Sequence, residues 1–409
     1  MVSSMSETRV PRGGRVRLGA VEGDLRAEEN TRIEADGKIS VAGAARFDGN
    51  AEVVGDLECR SLTAADGTVR VTGNLSAAET VRGEDASIEV GGTFHARRTD
   101  VDRGLRVEGA ATGEEFEVGG ILEGGDTLSA AKVSVGGKFH LAGKLSARSV
   151  EAGGSVDVAD VELESLEAGG LIHLRGGSVS RSIEVGGRFV AEESLTFGSL
   201  EAGGTAELKG DGKGGSVEVG GVLTVRGNLA FSSLEVGGLG SIGGDGTGES
   251  FEVGGKFHVG GSLRVSRGIE IGGSMDVKND LTADRLEIGG EVTARSAVVA
   301  ATAEVGGRVR TEIGLKATRV VLQRKSRAVG PIVGGTVEIG DKARAEDVYG
   351  DAVEVGEKAE VRRIFAARVR VRDGASVDEI SYTESVDLDA RAHVGASPKK
   401  VTALPTFPL

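Results

Sequence analysis

Pairs of adjacent glycines recur through the middle of this 409-residue chain at an almost constant interval. They begin at Gly119, Gly136, Gly153, Gly169, Gly186, Gly203, Gly220, Gly237, Gly254, Gly272, Gly289 and Gly306, in steps of 16 to 18 residues that are nearly all 17. Glycine at this density excludes long helices, because each interior glycine costs roughly 1 kcal/mol relative to alanine. A short fixed period instead specifies a solenoid, in which each repeat is one winding and buries its apolar side only together with its neighbours.

The residues between the pairs say what kind of winding it is. From Val217, apolar residues fall in three doublets: Val217 and Val219, Leu223 and Val225, Leu229 and Phe231. Each doublet brackets one residue of the opposite face (Glu218, Thr224, Ala230), which is the two-residue period of a strand. Phe251, Val253, Phe257, Val259, Leu263 and Val265 fill the same six slots, as do Ile269, Ile271, Met275, Val277, Leu281 and Ala283. The pattern predicts an all-β, three-sided parallel β-helix of about 17 residues per coil, with sides of six, six and five residues. Glycine, asparagine and aspartate at the corners are expected there because they tolerate tight or left-handed backbone. Windings over residues 15–386, at about 4.8 Å per strand, would build a rod roughly 100 Å long. The repeat is most regular over 113–314, and the segments 1–14 and 387–409 read as flexible tails.

Composition narrows the function. The net charge of −14 argues against a nucleic-acid partner, which needs a basic stripe. Eleven phenylalanines, two tyrosines and no tryptophan suit a narrow interior filled by smaller aliphatic residues. Cys59 is the only cysteine, so no internal disulfide is available. No apolar run approaches membrane-span length, and the polar, basic first residues lack the apolar stretch of a signal peptide. A cytoplasmic location is the expectation.

Short corners of glycine, a polar residue and leucine recur at Gly23-Asp24-Leu25, Gly55-Asp56-Leu57 and Gly73-Asn74-Leu75. With the short alternating strands and the polar flanking segments, the second carrying prolines, they make residues 16–386 resemble the bactofilins, also called polymer-forming cytoskeletal proteins. The resemblance implies a right-handed triangular β-helix that joins end to end into filaments without nucleotide and serves as a scaffold. It implies a homopolymer, with other cytoskeletal or envelope-associated proteins as candidate further partners, and no cofactor; the sequence itself gives no support for membrane contact through the tails.

Several residue groups carry alternative readings. Glutamate occupies the outward position of the first strand in most repeats, including Glu89, Glu117, Glu151, Glu167, Glu184, Glu201, Glu218, Glu235, Glu252, Glu270, Glu287 and Glu304. Stacked at about 4.8 Å, like charges repel by about 1 kcal/mol per neighbouring pair in water. Such a ladder is either a solvated face that keeps rods apart or a face for cations or a basic partner. His95, His140, His173 and His258 share one repeat position, with Asp157 between two of them. Two histidines and a carboxylate are possible metal ligands, but a two-coil separation of about 9–10 Å favours a polar surface ladder. The glycine-rich runs 209–215 and 243–248 lack the Gly-Lys-Ser/Thr ending of a phosphate loop and read as slack corners. Arg319, Arg324, Lys325 and Arg327 form a basic cluster, either a solvated corner or a contact for the acidic face of another rod. No catalytic, cofactor or metal site is expected, and no nucleophile–base pair fits the pattern. The ends are the candidate contact between subunits, with Phe365, Val369 and Ile380 either supplying apolar contacts there or simply closing the core.

Three functions compete. The first is a structural filament subunit. The second is a left-handed β-helix enzyme of the acyltransferase type, poorly served by a 17-residue coil because that fold favours 18. The third is a β-helical surface or adhesion protein, which would normally carry a secretion signal.

Overall fold

The computed structural model describes residues 6–407, and among them there are strands and turns but no helix. The chain divides into two compact units, Met1–Gly204 and Thr205–Leu409. Each is a parallel β-solenoid in which a strand pairs with the strand one winding later.

In unit 1 the interior consists of three columns of side chains. Phe116, Val133, Val150, Leu166, Ile183 and Leu200 stack on the first face. Leu122, Phe139, Val156, Ile172 and Phe189 stack on the second. Leu128, Leu145 and Val161 lead to Gly177 and Leu195 on the third. These apolar side chains are all buried. Some windings run as one continuous bent strand, such as Lys138–Ala152, which turns two corners and shifts register with the next winding once, between Leu141 and Lys144.

Unit 2 repeats the plan. One winding consists of the strands Ser216–Val219, Val222–Val225 and Leu229–Ala230, one per side. Val217, Leu234, Phe251, Ile269, Leu286, Ala303, Val320, Val337, Val353 and Val369 form its first column. All eighteen inward residues expected from the three sequence templates are buried. The step through the middle is 17 residues except for 16 from Val150 to Leu166 and 18 from Phe251 to Ile269. It lengthens to 20 between Thr31 and Ala51 and shortens to 16 from Val337 to Val353 and Val369.

The paired glycines are required for a different reason from the one expected. None has a positive φ. Gly119 and Gly120 instead stand over Asp102 and Arg103, and the later pairs stand over the pair one winding earlier. The Gly137 amide donates to the Gly120 carbonyl at 3.0 Å, and the Gly154 amide to the Gly137 carbonyl at 3.1 Å. A Cβ on Gly137 or Gly154 would lie 2.5 Å from that same carbonyl oxygen. The second glycine of these pairs is therefore bare backbone on bare backbone with no room for a side chain, whereas the first is looser in unit 2, where a Cβ on Gly272 would have its nearest neighbour at 3.8 Å.

The glycine-rich runs are likewise not slack. Gly246 occupies an inward slot of the third column, between Leu229 and Leu263. A Cβ on Gly248 would overlap the Phe231 ring, and one on Gly240 the Phe257 ring. Small residues here make space for phenylalanines of adjoining windings, and Phe251 and Phe257 meet edge to face at 4.9 Å.

Windings also extend into the segments read as tails. Residues 1–5 and 408–409 lie outside the described residues. Glu7–Val10 forms a strand in register with Asp24–Ala27. After Leu388, His393–Val394 and Lys399–Lys400 add two short strands to Ser376–Leu388. The chain then returns along the outside, where Phe407 packs on Tyr349 at 5.1 Å and Tyr349 stacks on Phe365 at 4.9 Å.

Candidate assembly surfaces

A solenoid displays its outward residues as ladders, so its surface chemistry is repetitive along one face. In unit 1, Glu151, Glu167, Glu184 and Glu201 stand on successive windings. In unit 2, Glu218, Glu235, Glu252, Glu270, Glu287 and Glu304 do the same. These six are exposed, and among the described residues none has an ion-pair partner. They border a shallow groove of about 540 Å³ that also includes Ser233, Leu234 and Phe251. Arg285 is the only basic side chain lining it, and it pairs with Asp284.

Two residues assigned by their position relative to a glycine pair sit elsewhere. Glu89 pairs in register with Arg106, and Arg106 with Glu123, which places it on the second face. His95 pairs with Thr112 on the third face. Gly91 and Gly92 stand 28 residues before Gly119, a full winding and two sides more, so this pair turns a different corner. Glu89 is therefore not a rung of the acidic ladder.

His140, Asp157 and His173 do fall on consecutive windings of the second face. The Asp157 carboxylate bridges the two imidazoles, 3.0 Å from His140 Nδ1 and 2.8 Å from His173 Nδ1, and His173 Nε2 lies 3.1 Å from Glu192. Partial burial opposes the charged form of His173, but the hydrogen bonds it donates to Asp157 and Glu192 outweigh it and raise its pKa. His258 pairs with Asp276 at 3.0 Å. Among the described residues no group of three or more histidine, cysteine, aspartate or glutamate side chains is placed to hold a metal ion. Cys59 is buried, and desolvation, helped by Glu58, pushes its thiol up to about 12, which leaves it a packing residue.

The basic cluster divides. Arg319 lies on the first face, paired with Glu338 at 2.8 Å. Arg324, Lys325 and Arg327 lie at and just beyond the next corner. The stronger charge cluster is one that sequence reasoning missed. Asp347 is nearly buried and is held by Arg362 and Arg363 at 2.7 and 2.6 Å. The Arg363 hydrogen bond keeps its carboxylate pKa low against the cost of burial. Two adjacent arginines one 16-residue winding after an aspartate were the available signal.

The glycine–polar–leucine corner proves to be a second ladder, also unforeseen as such. Asp56 Oδ1 accepts the Asn74 amide, and Asn74 Oδ1 accepts the Thr93 amide, each at 2.8 Å. In unit 2, Asp211, Asn228 and Asp245 hand on the same bond to the amides of Asn228, Asp245 and Ser262. At Gly73, Gly227 and Gly244 glycine is needed because the carboxylate or amide of Asp56, Asp211 or Asn228 on the preceding winding occupies the Cβ space, whereas at Gly23 the Ser6 carbonyl does and at Gly55 φ is positive. The leucine after the polar residue enters the core.

Of the two readings of the end residues, Val369 and Ile380 take the one in which they close the core: both are buried, Val369 beneath Val386 and Ile380 over Ile364. Phe365 is on the outer face, against Tyr349. The side chains left uncovered are one winding further on. Val386 stacks over Val369 and Leu388 over Val371; Val386 is half-buried and Leu388 is 39% exposed. In unit 1, Val16 stands over Ile33 in the first winding and is also half-buried. Among the described residues, the outer edges of Glu7–Val10 and Arg15–Val21 pair with no other strand.

No family model matches this chain, and no curated protein or solved structure matches it either. Among the described residues no helix is long and apolar enough to cross a membrane.

Proposed function

We propose that this chain is a bactofilin-like structural subunit that joins end to end into nucleotide-independent filaments and acts as a scaffold. The observation that carries the reading is the exposure of core-type side chains at terminal windings. Val16 in unit 1 and Val386 and Leu388 in unit 2 belong to interior columns and lack only the next winding to cover them. Free strand edges beside such side chains are templates for another strand. A further copy would supply both the backbone partners and the apolar cover. Solenoids ordinarily close these ends with polar capping repeats, and among the described residues no helix lies over the first winding.

Lysines pointing into the end columns test this, because inward charges are an established way to blunt a strand edge. The double variant V386K/L388K should keep the far-ultraviolet circular dichroism of the parent and remain unpolymerised under conditions where the parent forms filaments. Filaments of normal length from a folded V386K/L388K protein would contradict the end contact.

A further inference from the structure

Unit 2 pairs most of its arginines. Arg226, Arg264, Arg267, Arg285, Arg295, Arg308, Arg319 and Arg344 each have an acidic partner, as do Arg362, Arg363, Arg368, Arg370, Arg372 and Arg391. The arginines left over among its described residues are Arg310, Arg324 and Arg327. All three are exposed and all three lie together.

Arg308, Arg327 and Arg344 occupy one outward column on consecutive windings, with Arg310 two residues along from Arg308. Glu291 and Glu360 neutralise the two ends of that column, leaving Arg327 between two other arginines. Arg324 and Lys325 stand at the adjoining corner, and Lys342 follows one winding later. Placing like charges at a spacing of about 4.8 Å costs stability unless something opposite covers them.

We propose that this basic patch docks sideways on the acidic ladder of a second copy of this chain. The ladder of unit 2 is its complement in charge, in exposure and in the lack of internal partners: Glu218 to Glu304 are six unpaired carboxylates in single file. It is also the complement in spacing. Both columns repeat once per winding, so one registration aligns every rung of the arginine column with a glutamate, which two unrelated charged surfaces do not achieve. Around the winding the patch and the ladder lie on adjoining faces. Arg308 follows Glu304 across a single glycine corner. One copy therefore offers both halves, and a contact between patch and ladder is offset along the axis by three to four windings, roughly 17 Å. This contact is lateral and does not depend on the ends joining. It predicts filament width, whereas the end contact predicts filament length.

Charge reversal tests it. R310E/R327E reverses the patch and E235R/E252R/E270R reverses the ladder; none of these side chains has an internal partner to lose. Sedimentation velocity of the full chain carrying V386K/L388K, which removes the end contact, should show at about 20 mM salt associated species that dissociate at about 500 mM; the charge reversals are made in that background. Each reversed variant alone should raise the dissociation constant at least about tenfold. The protein carrying both reversals should regain association, and an equimolar mixture of the two single-site variants should associate as well. Circular dichroism melts identify any variant that fails to fold, and the mixing experiment needs no variant beyond those two. Undiminished association of the separate variants would overturn the proposal. So would binding of the parent chain to anionic vesicles or polynucleotide without any salt-sensitive self-association, which would assign the patch to a polyanion instead.

Discussion

At the scale of single residues, the fold depends on where side chains are absent as much as on where they are buried. The spacing of the glycine pairs was legible in the sequence, but their reason was not. A positive φ and a missing Cβ clash both select glycine, and only the register distinguishes them. Because Gly137 sits over the Gly120 carbonyl, G137A should destabilise the protein by about 1–3 kcal/mol, as overpacking does. Gly268 has nothing within 4 Å of its Cβ position and no positive φ. G268A should therefore lie within about 0.5 kcal/mol of the parent in a chemical denaturation series. Thr99 makes the opposite case. It is fully buried between Val81 and Phe116, and its hydroxyl has no hydrogen-bond partner. T99V removes a desolvated polar group without changing shape much, and should raise stability by about 1 kcal/mol in the same series.

At the scale of the winding, alternating apolar doublets identified the strands and the core of the regular region because each inward slot is filled independently in every repeat. The phase was harder to read where the step departs from 17. Glu89 and His95 were placed by a glycine pair that turns a different corner, and a sequence offset cannot tell one corner of a three-sided coil from another. The end residues carried two readings for a related reason, and Val369 and Ile380 take the one in which they close the core. Val369 and Ile380 look terminal only if the last windings are taken for a tail, and polar residues with few large apolar neighbours hid the strands His393–Val394 and Lys399–Lys400. The second-face ladder of His140, Asp157, His173 and Glu192 gives this scale its own prediction. His173 has a folded pKa above its unfolded value. Its contribution is thus complete below the unfolded pKa and is lost as pH rises through the folded one. The melting temperature of H173Q should fall furthest below that of the parent near about pH 5.5, where His173 is charged and Asp157 remains ionised, and the gap should narrow by about pH 8.5. A gap that widens with rising pH would contradict the assignment.

At the scale of the whole molecule, an acidic chain with a net charge of −14 keeps copies apart at long range. Contact therefore has to be made where the structure leaves groups unsatisfied, at the uncovered apolar residues of the end windings and along the unpaired charges of unit 2. The two contacts respond oppositely to salt. Screening weakens the patch-to-ladder pairing, whereas burial of Val16, Val386 and Leu388 is an apolar effect that salt does not weaken. Electron microscopy of the purified full-length chain in negative stain, without nucleotide and at about 500 mM salt, tests the central claim most directly. The account predicts unbranched filaments one solenoid wide. Monodisperse particles that never join at their ends, at any protein concentration, would contradict it.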